Sequence, residues 1–511
     1  MGKRRKKMKK LLASLFIVTS VITMSACSSD NSASKESSNS STKETTDVSS
    51  GASEQAYTDP KEMKDSYDLV IVGAGGAGMT AAIEAKDAGL NPVILEKMPV
   101  AGGNTSKSSS GMNASETKFQ KADGITDSND AFYEETLKGG GGTNDKEMLR
   151  YFVDHSADAI DWLDTNGITL DNLTITGGMS EKRTHRPSDG SAIGGYLVEG
   201  LLKNVHEREI PIFVNTDVTD IKKNDGTVNE VTVQVQGEKP KEITGKAIVV
   251  TTGGFGASKE LIEEYRPDLK GYVTTNQEGS TGDGIKMIEK LGGQAVDMDK
   301  IQIHPTVQQD KGVLIGEVVR GEGAILVNND GERFVNEMDT RDKVSAAITA
   351  LPDKSAYLIF DQGVRDRAKA IDFYDEKGYV TAGDSIEELA KAINVPEETL
   401  ATTVNTWNSE VADKNDTQFN RTTAMDNDLS KPKYYAIKIA PGIHYTMGGV
   451  KINTNTEVLN ADNEPIKGLY AAGEVTGGLH GDNRIGGNSV AEIIIFGRQA
   501  GQQAAKFVSE N

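Results

Sequence analysis

Residues 67–78 read Tyr67-Asp68-Leu69-Val70-Ile71-Val72-Gly73-Ala74-Gly75-Gly76-Ala77-Gly78. The first half is an apolar strand. The Gly-x-Gly-x-x-Gly after it allows a tight turn and lets backbone N–H groups at a helix start approach a pyrophosphate. A helical run from Met79 to Ala88 comes next. A second strand, Pro92 to Leu95, ends in Glu96, 18 residues beyond Gly78 and placed to accept from a ribose hydroxyl. The glycine fingerprint alone is a weak signal. With both strands and the acid in register it predicts a dinucleotide-binding unit.

The segment after Glu96 separates flavin from nicotinamide. Gly102-Gly103-Asn104-Thr105 and Ser108-Ser109-Ser110-Gly111 are small residues of a loop able to run along a flavin, where a nicotinamide fold would continue into further βα units. Two later segments fit the same sheet, Ala247 to Gly254 and Gly468 to Glu474, each an apolar strand running into a glycine turn. The predicted fold is α/β. A Rossmann-like FAD-binding domain, discontinuous over 65–300 and 446–511, carries an inserted α+β capping (clamp) domain over 301–445. Two helix-like stretches fall in the insert, Ser385 to Ile393 and Pro396 to Val411, with Ser385 and Pro396 as starts.

Composition narrows the chemistry. The formal net charge is −20 over 511 residues, which argues against nucleic-acid binding because phosphate contacts need a basic face. Cys27 is the single cysteine, so an intrachain disulfide, an iron–sulfur cluster and a Cys-x-x-Cys-His haem site are all excluded. A redox cofactor must be held without thiolates, as FAD is, and no metal site is expected.

The N-terminus reads as an export signal. Lys3 to Lys10 is basic, Leu11 to Ala26 is apolar and uncharged, and Ser25-Ala26-Cys27 ends the run. The apolar stretch is short for a spanning helix. Met24-Ser25-Ala26-Cys27 resembles a bacterial lipobox, so residues 1–26 are expected to be a lipoprotein signal peptide, with Cys27 lipidated on the extracytoplasmic face of the cell membrane. Residues 27–64 form the tether; up to residue 60 they are rich in Ser, Thr, Lys, Glu and Asp, a composition that predicts disorder. An additional covalent FMN on one of its hydroxyls is chemically conceivable, but a plain spacer accounts for the composition.

The insert and the returning segment hold the remaining motifs: Ile303-His304-Pro305-Thr306, Gly316-Glu317-Val318-Val319-Arg320-Gly321, Arg333 to Glu337 leading to Thr340-Arg341-Asp342, His444 to Gly449, and His480 to Asn488. On these residues the chain resembles the soluble fumarate reductase flavoproteins, flavocytochrome c type, of the succinate dehydrogenase/fumarate reductase flavoprotein superfamily. The likeness runs from about 65 to 509, with signal and tether where the family has its haem domain. It implies that His304 and His444 hold substrate carboxylates and that Arg484 pairs one as a two-pronged donor. It implies that Arg341 contacts substrate and delivers the proton, and that Glu317 and Arg320 relay protons to it. Gly316 and Gly487 would lie at the substrate. Ala77, Glu96, Asn104, Thr105, Ser110, Gly111, Val218, Asp283, Tyr445, Glu474, Ser489 and Val490 match FAD-contact positions. Arg333 reads as scaffold, and His480 as a shaper of its loop.

The implied reaction is reduction of fumarate to succinate, a hydride reaching one olefinic carbon and a proton the other. Two departures from the family qualify it. Asn104 stands where covalent-flavin members carry His, so FAD should be non-covalent. Gly316 stands where Thr is common, which removes a hydroxyl. A water in its place, or a substrate different at that end, such as urocanate, methacrylate or a cinnamate, would account for it. A tethered, non-catalytic flavin electron carrier is the reading from another class. With no haem or iron–sulfur site, electrons must arrive from an external donor, membrane-linked or an extracellular flavin carrier.

Overall fold

The computed structural model describes residues 57–511. The signal, Cys27 and most of the tether lie outside the described residues. The folded chain begins before residue 65. Thr58 N–H donates to Ile212 O (3.0 Å) and Ala101 N–H to the Tyr57 hydroxyl (2.9 Å). Residues 57–64 are therefore part of the fold rather than tether. A few polar residues join it by backbone pairing, which composition does not register.

The first layer is a parallel sheet. Strand β1 (Ser66–Val72) leads through the glycine turn into helix α1 (Gly76–Asp87), and then into β2 (Pro92–Leu95). Helix α2 (Ile193–Glu207) precedes the short strand β3 (Ile212–Phe213), and β4 (Lys241–Val250) lies on the other side of β1. Val70 sits opposite both Val93 and Ile248, so β1 is central. Leu69 to Ile71 are fully buried, as expected of a parallel strand covered on both faces.

The chain leaves this layer at β5 (Ile301–Gln308) and builds a second hydrophobic core spanning Ile315 to Ile439. Here helix α3 (Arg341–Ala350), β6 (Ala356–Asp361) and helix α4 (Ala370–Glu376) are followed by helices Ile386–Ile393 and Glu397–Ala412. Ser385 caps the first of these by accepting from Glu388 N–H. The long strand β7 (Tyr434–Thr446) joins the layers: its first half pairs with β6 and its second half with β5. Strand β8 (Pro465–Ala471) then returns beside β4, and the 23-residue helix α5 (Asn488–Glu510) packs along α1.

The β5–β7 pairing is irregular, with register shifts at Gln302/Ile303 and at His304/Val307. Such shifts free ladder groups and re-aim side chains, and they recur beside functional sites. Thr306 N–H, beside the second shift, donates to His304 Nδ1 (3.2 Å).

Candidate active site

One cavity runs from Glu96 and Asp217 along the glycine turn to Arg341, His444 and Arg484. Both α1 and α5 begin at its wall with glycine N-caps, Gly75 and Gly487, that supply no side-chain cap. The first N–H of α1, on Gly76, donates to Thr105 Oγ1 (3.0 Å) and that of α5, on Asn488, to Ile485 O (3.2 Å), and each helix presents its positive end to the cavity. Glu96 accepts Ala74 N–H and Met98 N–H (both 2.8 Å), one on each oxygen, which leaves each oxygen a lone pair for a hydroxyl. Thr252 also lines the cavity, its hydroxyl buried without a hydrogen-bond partner among the described residues. An elongated cavity with an acid at one end and two helix starts along it fits FAD.

Of the sequence-assigned FAD positions, Ala77, Glu96, Asn104, Thr105, Ser110, Val218, Asp283, Tyr445, Glu474, Ser489 and Val490 all line the cavity. Gly111 does not. It lies behind, where a Cβ would stand 2.4 Å from His185 O. Asn104 is held on both sides, its Nδ2 donating to Asn276 Oδ1 (2.6 Å) and Glu474 Oε2 (3.1 Å) and its Oδ1 accepting Gln277 N–H (2.8 Å). Burial pushes the Glu474 carboxyl up to about 7.

At the far end Arg341 and Arg320 both pair with one carboxylate, Glu317, and Arg484 stands nearby. Arg341 Nε donates to Glu317 Oε1 (2.9 Å) and Nη2 to Oε2 (3.1 Å), the fork geometry of a strong pair. Arg320 Nη2 approaches Oε1 at 3.4 Å, and Thr176 Oγ1 donates to Oε2 (2.6 Å). Gly486 makes this possible, since a Cβ there would stand 1.9 Å from Glu317 Oε2 and 2.8 Å from Arg341 Nη2. Burial alone would raise the Glu317 carboxyl, but the Arg341 charge and hydrogen bonds, with Arg320 behind them, hold it well below the usual range.

Arg341 and Arg484 also converge on one acceptor. Arg341 Nη1 (2.9 Å) and Arg484 Nη2 (3.0 Å) both donate to Gln302 Oε1. Gln302 is anchored in turn through Nε2 to Asn483 Oδ1 (2.7 Å) and Arg484 O (2.6 Å). Arg484 stacks on the Tyr445 ring at 4.4 Å, and its Nε is buried with no partner among the described residues. Burial and the neighbouring Arg341 charge lower its guanidinium to about 10. Each arginine keeps N–H groups for a ligand.

His304 and His444 stand ring to ring at 5.1 Å. Burial, then the Arg341 charge, holds both well below the usual imidazole range, so both are neutral at pH 7. Because His304 Nδ1 accepts from Thr306, its proton sits on Nε2, which is buried without a partner among the described residues and waits for an acceptor. His444 Nδ1 is bonded to the Thr275 hydroxyl (2.7 Å).

Arg341, His444, Arg484 and Gly487 line the cavity; His304, Glu317 and Arg320 stand behind this first layer. Gly316 does not itself line the cavity. Its N–H donates to the Tyr374 hydroxyl (2.9 Å), and Ser109 Oγ lies over its α-carbon, 2.6 Å from where a Cβ would be. Gln302, Thr176 and Tyr374 carry no motif that marks them in the sequence, and Ser109 was marked only as part of the flavin loop. Only Gln302, two residues before His304 on one strand, offered a usable signal, because alternate residues share a face. Arg333 is scaffold: it pairs with Glu337 and Asp416 and stacks on Trp407 at 4.5 Å. His480 Nε2 and Tyr445 both bond Glu492.

A dinucleotide cavity ending in a dry cluster of arginines and neutral histidines defines an FAD-dependent oxidoreductase with an anionic substrate. The FAD binding domain family matches residues 68–490. The NADH:fumarate oxidoreductase of Klebsiella pneumoniae (strain 342) is 53% identical over 441 residues, covering 86% of this chain and 48% of that protein, so the match spans about half of that relative. A fumarate reductase (cytochrome) of Shewanella frigidimarina is 45% identical over 448 residues, covering 88% of this chain and 78% of that one. The open conformation of a flavocytochrome c3 fumarate reductase superimposes with a TM-score of 0.72 at 42% identity, covering 88% and 79% of the two chains. The chain belongs to the fumarate reductase flavoprotein family. It is an FAD-binding oxidoreductase that acts on CH–CH bonds.

Proposed function

We propose that this protein reduces fumarate to succinate with electrons from an external donor. The observation that carries the reading is the pairing at the substrate end: Arg320 and Arg341 both pair with Glu317, while buried Arg484 has no ion-pair partner among the described residues. Buried charge is costly unless paired, so the cluster calls for an anion. Two arginine forks and two imidazoles suit a dicarboxylate better than a monocarboxylate. When bound, reduced FAD supplies the hydride for one olefinic carbon.

The chain's own residues do the rest. Arg484 offers Nε and its free Nη hydrogens to one carboxylate. His304 offers Nε2–H, and His444 stands beside it. Arg341 delivers the proton to the second carbon from an Nη hydrogen not given to Glu317 or Gln302. A guanidinium rarely deprotonates, which makes it an awkward acid. Here the lost proton can be replaced through the hydrogen bonds already made to Glu317, with Arg320 behind it. Burial lowers the Arg320 guanidinium, the direction that favours giving up a proton. An electron carrier would need no such arrangement.

The room that Gly316 would have left for a bulkier acid is taken by Ser109, which favours fumarate over urocanate or a cinnamate. Asn104 offers an amide already bonded on both sides, which supports non-covalent FAD. Lipidation at Cys27, an extracytoplasmic position and a membrane-linked or extracellular flavin donor complete the proposal, motivated by the basic–apolar–Cys order of residues 3–27. The deciding assay is anaerobic oxidation of a reduced dye against a panel of unsaturated acids. Fumarate should give the highest kcat/KM; preference for a bulkier monocarboxylate would overturn the substrate assignment.

A further inference from the structure

The resemblance that assigns the site leaves the hydroxyl over Gly316 without a role. Ser109 is 9% exposed, and its Oγ is buried with no well-formed hydrogen bond among the described residues. A buried hydroxyl without a partner loses its solvation and gains nothing in return, so such a group marks the place of an absent partner. Ser109 lines the same cavity as Arg341, His444 and Arg484. The loop that carries it belongs to the FAD domain, yet its Oγ reaches across to the cap, over Gly316, the residue before Glu317. The Tyr374 hydroxyl adjoins both, accepting Gly316 N–H and standing close enough to Ser109 and to the buried Arg186 to feel them. Arg186 Nε also lacks a partner among the described residues. This wall therefore holds two hydroxyls that interact with each other, with the Arg186 cation beside them.

We propose that Ser109 Oγ is a substrate-binding group, donating to a carboxylate oxygen of the bound dicarboxylate, and that Gly316 is glycine to make room for it. The inference rests on the dicarboxylate reading and names a group within that site. A Cβ on residue 316 would stand 2.6 Å from Ser109 Oγ, closer than real Cβ atoms approach, and a tight 3.1 Å from its Cβ, so a side chain at 316 would turn the Ser109 hydroxyl out of its present place. Ser109 Oγ lies against the cap at Gly316.

The test uses the FAD-loaded protein and its Ser109→Ala variant. Succinate affinity is read from the perturbation of flavin absorbance, and fumarate turnover from reduced-dye oxidation. Losing a hydrogen bond to a charged group should raise the succinate Kd and the fumarate KM by roughly 10- to 100-fold. Turnover at saturation and FAD content should stay near those of the parent. A Gly316→Ser change should be harmful alone, and in the Ser109→Ala background should recover part of the lost affinity by returning a hydroxyl from the opposite side. Unchanged Kd and KM in Ser109→Ala would overturn the inference while leaving the substrate reading intact. Loss of FAD or of saturated turnover, with succinate affinity unmoved, would overturn it by assigning Ser109 to the cofactor or to the fold. A parent protein inert to both fumarate and succinate would defeat the dicarboxylate reading and this inference with it.

Discussion

Glu317→Gln separates the two duties of the arginine cluster, moving protons and holding an anion. The carboxylate receives two hydrogen bonds from Arg341, at 2.9 and 3.1 Å, and one from Thr176 at 2.6 Å. Glutamine keeps the shape but turns an NH₂ toward donors, so at least one charge-assisted bond of about 1.5–3 kcal/mol is lost. It also removes the negative charge shared by Arg320 and Arg341. Proton delivery to Arg341 should stop, lowering kcat by about 10²–10⁴-fold. Affinity for a dianion should move the other way. Removing a like charge roughly 6 Å from the ligand, at an effective dielectric near 20, is worth about 3 kcal/mol, or on the order of 100-fold tighter binding. Reduced-dye oxidation reads the first effect, and succinate titration of the flavin absorbance the second. Turnover within about threefold of the parent, or weaker succinate binding at unchanged stability, would refute this account of Glu317.

Arg341→Ala should retain FAD, because Arg341 is carried by the cap, and should lose at least about 10²-fold in fumarate reduction; near-normal turnover would defeat the proposed mechanism. Cys27→Ala should leave the protein released from membranes or unprocessed, which cell fractionation and the mass of the precursor would show; normal processing and fractionation would exclude lipidation there. Acid should destabilise the fold between pH 6.5 and 4. Burial lowers His185 to about 4, so over that window the unfolded chain binds a proton the folded one refuses, and stability present above pH 6.5 is lost on the way down. The single group contributes about 3 kcal/mol at most, and His185→Gln should flatten the fall of the melting temperature with pH; an unchanged slope would rule it out.

The amino-acid sequence by itself determined the dinucleotide sheet, the cofactor and the insertion of the cap. Each rests on short-range order: a strand of aliphatic residues, glycines at fixed offsets where backbone must approach a phosphate, and an acid at the end of the next strand. It also supplied Arg341, Arg484, His304, His444 and the Glu317–Arg320 pair, because these sit in long motifs that the resemblance matches one by one. Tertiary structure alone decided how they combine. Thr176 and Glu317 are 141 positions apart, and Gln302 and Arg484 182, so no periodicity links them. The absence of a side chain at Gly316 reads in sequence as a missing hydroxyl. In the fold Ser109, from the other domain, occupies that space with a hydroxyl of its own. That residues 57–64 belong to the fold was likewise invisible, because they are held by a Thr58 main-chain bond to β3 and by the Tyr57 hydroxyl accepting Ala101 N–H, which composition does not announce. Local spacing encodes the backbone that receives a cofactor. The charge balance of a buried site depends on which distant side chains the packing brings within about 3 Å of one another, the range in which hydrogen bonds form.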